Sequence, residues 1–320
     1  MAPIADTIPA LEILEQRATG YASVSALRGG VFTIPVRLFV SGVPAGETAL
    51  VPSLSFLLVE QTSDQDAKPR TVLFDLGLRR DISRYTPAIQ RHLINRQPLD
   101  ASHDVLKSLQ IAKFSPDAVD EVILSHVHWD HIGTPTDFPQ ARFIVGAGSL
   151  ALLAAQGDTH LSHSNFQHDL LRDLDVCELS DPRTDQAEQD RSTEWTGVAG
   201  LRIHDLHGNG IMYAVDSPGH LTGHIALLAR RGSRSWVLLI GDACHDLRLL
   251  TGEKQIAEWQ DSEGRTCCIH ADKEQATETL RRFGKLKSEA EAVGFDLDIV
   301  FAHDRLWAEG HPEAFLPGSI

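Results

Sequence analysis

The sequence predicts an α/β fold of four layers, in which two β-sheets lie face to face and helices cover their outer surfaces. Short apolar segments of strand length occur in two blocks, one in the first third of the chain and one after residue 200. Segments with a helical spacing of apolar residues accompany both blocks, and the longest of them covers residues 272–293. No linker-like or low-complexity stretch separates the blocks, so we expect residues 1–320 to form a single domain.

The first block of strands is expected at residues 36–40, 53–59 and 71–75. The polar stretch at 61–70 would reverse the chain, so the second and third of these strands are predicted to pair as a hairpin. From 81 to 112 the apolar residues have helical spacing, and residues 104–109 are predicted to be the last part of a helix. This part of the chain supplies one sheet and a helix that leads to the next strand.

A strand and helix pattern continues in the middle of the chain. Residues 121–124 and 142–145 are apolar enough for buried strands, and residues 149–156 have a helical pattern. Residues 157–200 are polar and acidic, with only residues 168–174 suggesting a helix. Because a structureless loop of this length is unusual in a compact domain, we interpret 157–200 as a cap over a site, the alternative being a solvated insertion.

The second block of strands is expected at residues 201–205, 211–217, 224–229 and 236–240, with a last strand at 297–301. Between them, residues 272–293 alternate charged residues with Ala, Leu and Phe at helical spacing. These segments would complete the second sheet and supply its outer helix.

Composition restricts the classes of function. The chain has 44 acidic and 29 basic side chains and a net charge of -15, which disfavours nucleic acid and anionic membranes as partners. No segment has the length and apolarity of a membrane span, and the first residues lack the basic start and apolar core of a signal peptide. We therefore expect a cytoplasmic protein, a monomer or homodimer, that acts on a small neutral molecule.

The most informative segment is a cluster of histidines and an aspartate directly after the strand at 121–124. In an extended segment alternate residues point the same way, so His126 and His128 can share one ion. The chain must then turn, which lets Asp130 and His131 face a second ion. Imidazole and carboxylate suit zinc or another borderline divalent ion. The alternative, a polar loop with solvated histidines, is disfavoured by the position of the cluster at the end of a buried strand.

Three later residues are further candidates for metal ligands. His220 lies in a glycine-containing turn after a strand, and Asp242 and His303 each follow an apolar run. Alone, a histidine or aspartate in such a place is more often a hydrogen-bonded loop residue. Together with the first cluster, these residues offer enough ligands for two ions.

With these motifs the chain resembles the metallo-β-lactamase-fold hydrolases over nearly its whole length, from about residue 36 to 303. The resemblance implies an αββα sandwich with two mixed sheets and a site at one edge between them. It implies one ion bound by His126, His128 and His220, a second ion bound by Asp130, His131 and His303, and Asp242 as a ligand of both. The ions are expected to be zinc, with iron, manganese or cobalt as alternatives.

The resemblance also implies a supporting role for Asp75, which ends the strand at 71–75. A buried carboxylate in this position would orient a liganding imidazole through the free N–H of the ring. Asp75 is therefore expected to act on the metal site without binding a metal.

The residue at the fourth motif separates branches of this superfamily. The best-known β-lactamases have cysteine at this position, so Asp242 disfavours a β-lactam substrate. In having Asp242 the chain resembles the lactonases and the glyoxalase II-like thioesterases. The run from Asp242 to His245, the helix at 272–293 and the ending His303-Asp304 resemble the acyl-homoserine lactonases, which have tyrosine where this chain has His245. His245 is thus a candidate donor to the substrate carbonyl, the alternative being a supporting or surface histidine.

We therefore expect a dinuclear-metal hydrolase in which metal-bound hydroxide opens a lactone ring, acting on a small-molecule lactone or ester. Asp130 and His245 are the candidate catalytic residues, and the spare carboxylate oxygen of Asp130 could pass a proton to the leaving group. The alternative is a thioesterase of glyoxalase II or polyketide type, and a less favoured one is a non-catalytic metal-binding scaffold. Aromatic candidates for an apolar acyl pocket, or equally for the core, are Tyr21, Phe32, Phe39, Trp129 and Trp259.

Overall fold

The computed structural model describes residues 9–62, 69–155, 166–183, 195–198 and 200–320. One sheet contains β1 (Gly20–Pro35), β2 (Thr48–Thr62), β3 (Thr71–Phe74), β4 (Leu99–Asp100), β5 (Glu121–Ile123), β6 (Arg142–Val145) and β7 (Val176–Glu178). Its strand order is β4-β1-β2-β3-β5-β6-β7. The strands are antiparallel from β4 to β3 and parallel from β3 to β7, so the sheet is mixed.

The remaining strands are β8 (Thr196–Val198), β9 (Leu201–Asp205), β10 (Met212–Asp216), β11 (Ile225–Gly232), β12 (Ser235–Leu239), β13 (Trp259–Gln260), β14 (Thr266–Cys267) and β15 (Asp296–Val300). Six of them form a second mixed sheet in the order β15-β12-β11-β10-β9-β8, in which only the described pair β12 and β15 is parallel. β13 and β14 form a separate two-stranded ribbon.

Helices lie outside the two sheets. They are α1 (Ala10–Glu15), α2 (Pro87–Leu93), α3 (Val105–Ile111), α4 (Ser149–Ala154), α5 (Leu247–Leu250), α6 (Lys273–Ala292) and α7 (Arg305–Gly310). Within the described ranges, none of these helices has the length and apolar character that crossing a bilayer would require. The α/β prediction with two mixed sheets and outer helices is confirmed.

The interior between the sheets is filled from both sides. Val24 and Leu58 of the first sheet belong to the same buried apolar cluster as Leu227 and Val237 of the second. On the outer face of the second sheet, α6 buries residues that recur every three or four positions, as an amphipathic helix requires. These are Ala276, Thr279, Leu280, Phe283, Leu286 and Ala290. Asp272 caps the start of this helix, because its carboxylate accepts the backbone N–H of Gln275 at 2.9 Å.

The prediction of a strand at residues 36–40 is wrong. This segment forms a 3-10 turn at Val36–Leu38 that follows β1, a strand of 16 residues. Val36, Phe39 and Val40 are nevertheless buried, because the turn points its apolar side chains into the core. A short apolar run signals burial without distinguishing a strand from a turn.

The prediction of a helix at residues 168–174 is also wrong. The segment consists of turns, in which Leu170 and Arg172 donate backbone hydrogen bonds to residues three positions earlier. Asp173 has φ 63°, a left-handed conformation that interrupts a right-handed helix. Much of the cap predicted at 157–200 lies outside the described residues, so this interpretation and the single-domain prediction stay predictions.

A buried ionic cluster joins the two sheets away from the predicted metal ligands. His207 Nδ1 lies 2.7 Å from Glu60 Oε1, and His207 Nε2 lies 2.8 Å from Glu121 Oε2. Burial alone would lower the pKa of His207, but the hydrogen bonds with the two carboxylates raise it to about 9. Because both ring nitrogens face carboxylates, the imidazolium donates to both.

This cluster predicts a loss of stability at alkaline pH. The stabilisation from charged His207 is complete below its unfolded-state pKa of about 6.5 and is lost as pH rises through about 9. We expect the free energy of unfolding to fall by up to about 3 kcal/mol across this window, measured by urea denaturation. His207→Gln should remove most of this pH dependence.

His103→Gln is the matched control. Burial lowers the pKa of His103, so its contribution changes only below about pH 6.5 and the alkaline slope should survive this substitution. An unchanged alkaline slope in His207→Gln would show that the cluster does not carry the effect.

Candidate metal centre

The predicted metal-site residues follow the ends of strands at one edge of the two sheets. In the first sheet, Asp75 follows β3 and the segment 125–131 follows β5. In the second sheet, His220 comes after β10, Asp242 after β12 and His303 after β15. β3 and β5 run in parallel, and β10, β12 and β15 also share one direction, so these ends gather at the same edge.

Four of these residues form a first group of converging donor atoms. His128 Nδ1 lies 2.9 Å from His126 Nε2 and 3.0 Å from His220 Nε2. Asp242 Oδ2 lies 3.5 Å from His220 Nε2 and 3.8 Å from His126 Nε2. All four donor atoms lie within 4.8 Å of one another, a spacing at which they can surround one ion.

A second group lies on the other side of Asp242. Asp242 Oδ1 is 3.1 Å from His131 Nε2 and 3.0 Å from His303 Nε2. Asp130 Oδ2 is 3.5 Å from the same nitrogen of His303. Each carboxylate oxygen of Asp242 therefore faces one group, which is one arrangement in which a carboxylate can be shared by two ions.

Asp75 and Ser125 fix the orientation of two of the rings. Asp75 is buried and accepts hydrogen bonds from the Ser125 N–H at 2.7 Å, the Ser125 hydroxyl at 2.8 Å and His131 Nδ1 at 2.8 Å. Because the hydroxyl proton of Ser125 is directed to Asp75, its oxygen accepts the Nδ1–H of His126 at 3.0 Å. The contact expected between Asp75 and an imidazole is present.

His303 is oriented in the same way by a backbone group. Its Nδ1 donates to the carbonyl of Pro52 at 2.8 Å. In the neutral form that binds a metal, His126, His131 and His303 would each keep the ring proton on Nδ1, because Nδ1 faces a hydrogen-bond acceptor. Nε2 of each ring then presents a lone pair to the cluster, as a metal ligand must.

The charges around the cluster divide the histidines into two kinds. Burial lowers the pKa of His126 and His220 well below its ordinary value, so these rings are neutral. Burial acts in the same sense on His131 and His303, but the Asp242 carboxylate overcomes it and raises the pKa of both. Burial opposes ionisation of Asp242, yet His131 and His303 hold its pKa well below the usual range. The surroundings of Asp242 therefore favour positive charge.

The donor set fits divalent metal ions. His131 Nε2 and Asp242 Oδ1 are buried and have no hydrogen bond of acceptable geometry within the described structure. Such orphaned polar atoms are costly in a protein interior unless a ligand satisfies them. Imidazole nitrogens and carboxylate oxygens are ligands that zinc and related ions accept.

Two glycines allow the loops to reach this geometry. A Cβ at Gly219 would lie 2.2 Å from the backbone nitrogen of Ala276, so glycine lets the turn before His220 touch α6. Gly241 has φ 49°, and a Cβ there would lie 2.8 Å from Ser125 Oγ. Both glycines directly precede a predicted ligand, whose position thus depends on close backbone packing.

His245 lies in the interior of the site, which excludes the surface alternative. It is 5% exposed, and its Nε2 is 3.1 Å from Asp242 Oδ2. The ring packs 4.8 Å from that of Phe39, and with His220 and His270 it forms a further group of nitrogens within 4.8 Å. His245 is thus positioned to act on Asp242 or on a bound molecule.

A cavity of 290 Å³ opens onto the two groups. Its apolar wall is formed by Phe32, Ile34, Leu38, Phe39, Trp129, Trp259 and Ile269. Its polar wall is formed by His92, Arg96, His128, Asp130, His220, Asp242, His245 and His303. Four of the five aromatic candidates line the cavity, whereas Tyr21 is 46% exposed and lies outside this lining.

The site also contains residues that the sequence motifs did not predict, among them Ser125, His92 and Arg96. Ser125 was detectable, because it stands between a buried strand and the histidine cluster. His92 belongs to α2 and Arg96 ends the 3-10 turn Ile94–Arg96. Nothing in their local pattern marks them, since they reach the cavity only through the packing of α2.

Known proteins resemble this chain in sequence and in fold. A family model described as the metallo-beta-lactamase superfamily matches residues 69–294. Among curated proteins, gamma-lactamase FDB1 of Fusarium pseudograminearum (strain CS3096) is 28% identical over 249 residues, which cover 74% of this chain and 56% of the relative. The chain thus spans about half the length of this relative.

Solved structures share the fold at low sequence identity. An N-acyl homoserine lactone hydrolase, with the product N-hexanoyl-L-homoserine bound at its catalytic metal centre, has a TM-score of 0.67 and 16% identity. The match covers 94% of this chain and 99% of that one. AidC, a dizinc quorum-quenching lactonase in complex with a product, has a TM-score of 0.56 and 15% identity, covering 89% of this chain and 88% of that one.

Proposed function

Because the chain belongs to the metallo-beta-lactamase superfamily, we propose that it is a dinuclear-metal hydrolase that opens a lactone ring. The main support for this proposal is the pair of donor groups that share Asp242, a residue that lines the cavity. A lactonase is also the activity named for solved proteins that share this fold over most of their length. The ions are expected to be zinc.

The first ion would be held by His126, His128, His220 and Asp242, and the second by Asp130, His131, His303 and Asp242. When bound, two such ions supply a nucleophile from water at neutral pH and polarise the carbonyl oxygen of an ester. Phe32, Phe39, Trp129 and Trp259 exclude water around the substrate, which strengthens electrostatic interactions in the cavity. Asp130 lines the cavity and is our candidate to pass a proton from its carboxylate to the leaving oxygen.

His245 is proposed to support catalysis through its Nε2. The ring borders both Asp242 and the cavity, so it can stabilise the carboxylate or donate to the substrate carbonyl.

We expect His245→Phe to lower kcat by about 10- to 100-fold, which is the effect expected from losing one hydrogen bond to a charged group. His245→Tyr restores a donor and should recover part of this loss; equal kcat values for His245→Phe and wild type would remove His245 from the mechanism.

A second candidate is hydrolysis of a γ-lactam, favoured by the name of the curated relative. The same donor groups would serve the hydrolysis of a cyclic amide. The amine nitrogen of a lactam is a poorer leaving group than the oxygen of a lactone, so the reaction would depend more strongly on proton transfer from Asp130. A thioesterase and a non-catalytic metal-binding scaffold are the remaining alternatives. We also propose that the chain forms a single domain, is a monomer or homodimer and acts on a small-molecule substrate.

A substrate panel tests the proposal. Protein of measured metal content is incubated with acyl-homoserine and other lactones, matched γ-lactams and acyl thioesters, and release of acid or thiol is recorded. We expect turnover of at least one lactone with a higher kcat/KM than its matched lactam. Turnover of lactams or thioesters alone would replace the lactonase proposal, and no turnover by protein that holds two ions would contradict hydrolysis of these classes.

A further inference from the structure

Arg96 is a buried cation in the wall of the candidate active site. The residue ends the 3-10 turn that extends α2, and it is 8% exposed. It lines the same cavity as Asp130, Asp242 and His303. An arginine buried to this degree is normally paired with a carboxylate or another acceptor.

The guanidinium is only partly satisfied by its surroundings. Its Nε donates to His92 Nε2 at 3.1 Å, the one hydrogen bond that Arg96 side-chain nitrogens make within the described residues. No described carboxylate lies within ion-pair distance of it, and Asp130 acts on it only at longer range. The two terminal nitrogens of Arg96 therefore keep their donors for something else.

His92 fixes which edge of the guanidinium is available. Burial lowers the pKa of His92 to about 4, so the ring is neutral and its Nε2 can accept the Arg96 Nε–H. The imidazole packs edge to face against Trp129, with ring centroids 5.7 Å apart. With Nε occupied, the fork formed by the two terminal nitrogens remains, and this fork matches the two oxygens of a carboxylate.

We propose that Arg96 binds a carboxylate that the substrate carries in addition to its ring ester, so that the substrate is an acidic lactone with an apolar body. This proposal rests on the proposed lactonase function. The net charge of -15 favours a neutral substrate at long range, but the buried guanidinium determines the local preference because screening by water is weak there. Phe32, Phe39 and Trp259 would surround the apolar body.

Paired substrates test the proposal. A γ-butyrolactone ring is linked through zero to four methylene groups to either a carboxylate or the uncharged, equally shaped carboxamide. For at least one linker length, we expect wild-type metal-loaded protein to prefer the carboxylate by about 10- to 100-fold in kcat/KM. Arg96→Gln should reduce this preference to less than about threefold, mainly through KM, and Arg96→Lys should retain part of it.

Arg91→Gln is the matched control, because Arg91 is an exposed residue of α2, just before the turn that holds Arg96, and lies outside the cavity lining. It should leave the preference unchanged. Equal activity on both members of every pair in the wild type, or an unchanged preference in Arg96→Gln, overturns the proposal. So does an equal loss on both members, which would mean that Arg96 is structural or binds only the carboxylate that ring opening creates.

Calorimetry separates this proposal from the lactonase function. The ring-opened products of both members of each pair are titrated into wild type and Arg96→Gln. The variant should bind the hydroxy dicarboxylates about 10- to 100-fold more weakly and the matching carboxamides with unchanged affinity. If no lactone is turned over but this difference persists, the carboxylate site stands and the lactonase proposal fails. The unfolding temperature of Arg96→Gln should not fall below that of wild type, because a buried, incompletely paired charge is removed.

Discussion

Replacing Asp242 with asparagine should reduce the metal content from two ions per chain to one or fewer and lower lactone hydrolysis by at least about 10³-fold. The two carboxylate oxygens of Asp242 face the two donor groups, with His131 Nε2 3.1 Å from Oδ1 and His220 Nε2 3.5 Å from Oδ2. An amide keeps the shape of the side chain, but it has one acceptor oxygen and no charge. Metal analysis after gel filtration and initial rates on the best lactone measure both effects.

Asp117→Asn is the control for this substitution, since Asp117 is an exposed carboxylate in a 3-10 turn whose side chain accepts no described hydrogen bond. It should keep both ions and full activity. Asp242→Asn that retains two ions and wild-type rates would mean that Asp242 does not join the two groups.

Asp75→Asn should weaken binding of the second ion by about 10- to 100-fold without removing any ligand. Asp75 accepts His131 Nδ1 at 2.8 Å and two hydrogen bonds from Ser125, so its charge orients one ring directly and that of His126 through Ser125. Asparagine tolerates the left-handed conformation of Asp75, at φ 60°, and isolates the effect of the charge. Competition with a chromogenic chelator gives the affinities of both ions.

Asp75→Ala should show the same loss of metal affinity together with about 1 kcal/mol of backbone strain. The control pair is Asp173→Asn and Asp173→Ala, because Asp173 has a similar φ of 63° but is exposed. These controls should reproduce the strain and leave metal binding unchanged. Equal metal affinity in Asp75→Asn and wild type would limit Asp75 to a role in folding.

The donor groups were accessible to sequence reasoning because each member stands at a strand end. The end of a strand fixes the backbone position of the residue that follows it. Because β12 and β15 are parallel, Asp242 and His303 lie at the same edge of the second sheet. The assignment of these residues as ligands stays a prediction that the substitutions above test. Their gathering into two groups of donors within 4.8 Å is a property of the structure.

The first strand was missed for a local physical reason. β1 pairs with β2 through most of its length, but its register shifts between Arg28 and Val31, where Gly29 and Gly30 interrupt the alternation of polar and apolar residues. Gly30 has φ 93°, and such a bulge removes the period-two signal on which strand prediction depends. The apolar residues of the buried turn that follows β1 were therefore predicted as a strand, at 36–40.

The part of the cavity wall formed by His92 and Arg96 was not predicted, for a different reason. Arg96 and Trp129 are far apart in the sequence, and no spacing rule relates the end of α2 to the loop after β5. Their proximity follows from how α2 packs, with Ile89 and Leu93 buried beneath it. Substrate preference therefore depends on long-range contacts that a single sequence does not reveal, whereas the donor groups depend on motifs that it does.

A metal titration coupled to turnover tests the dinuclear centre most directly. Metal-free protein receives zinc in steps from zero to four equivalents, and bound zinc and initial rates on the best lactone are measured at each step. We predict two tightly bound ions per chain and activity that reaches its plateau at two equivalents. A plateau at one equivalent, or two bound ions without hydrolysis of any substrate in the panel, would contradict the assignment of a dinuclear hydrolase.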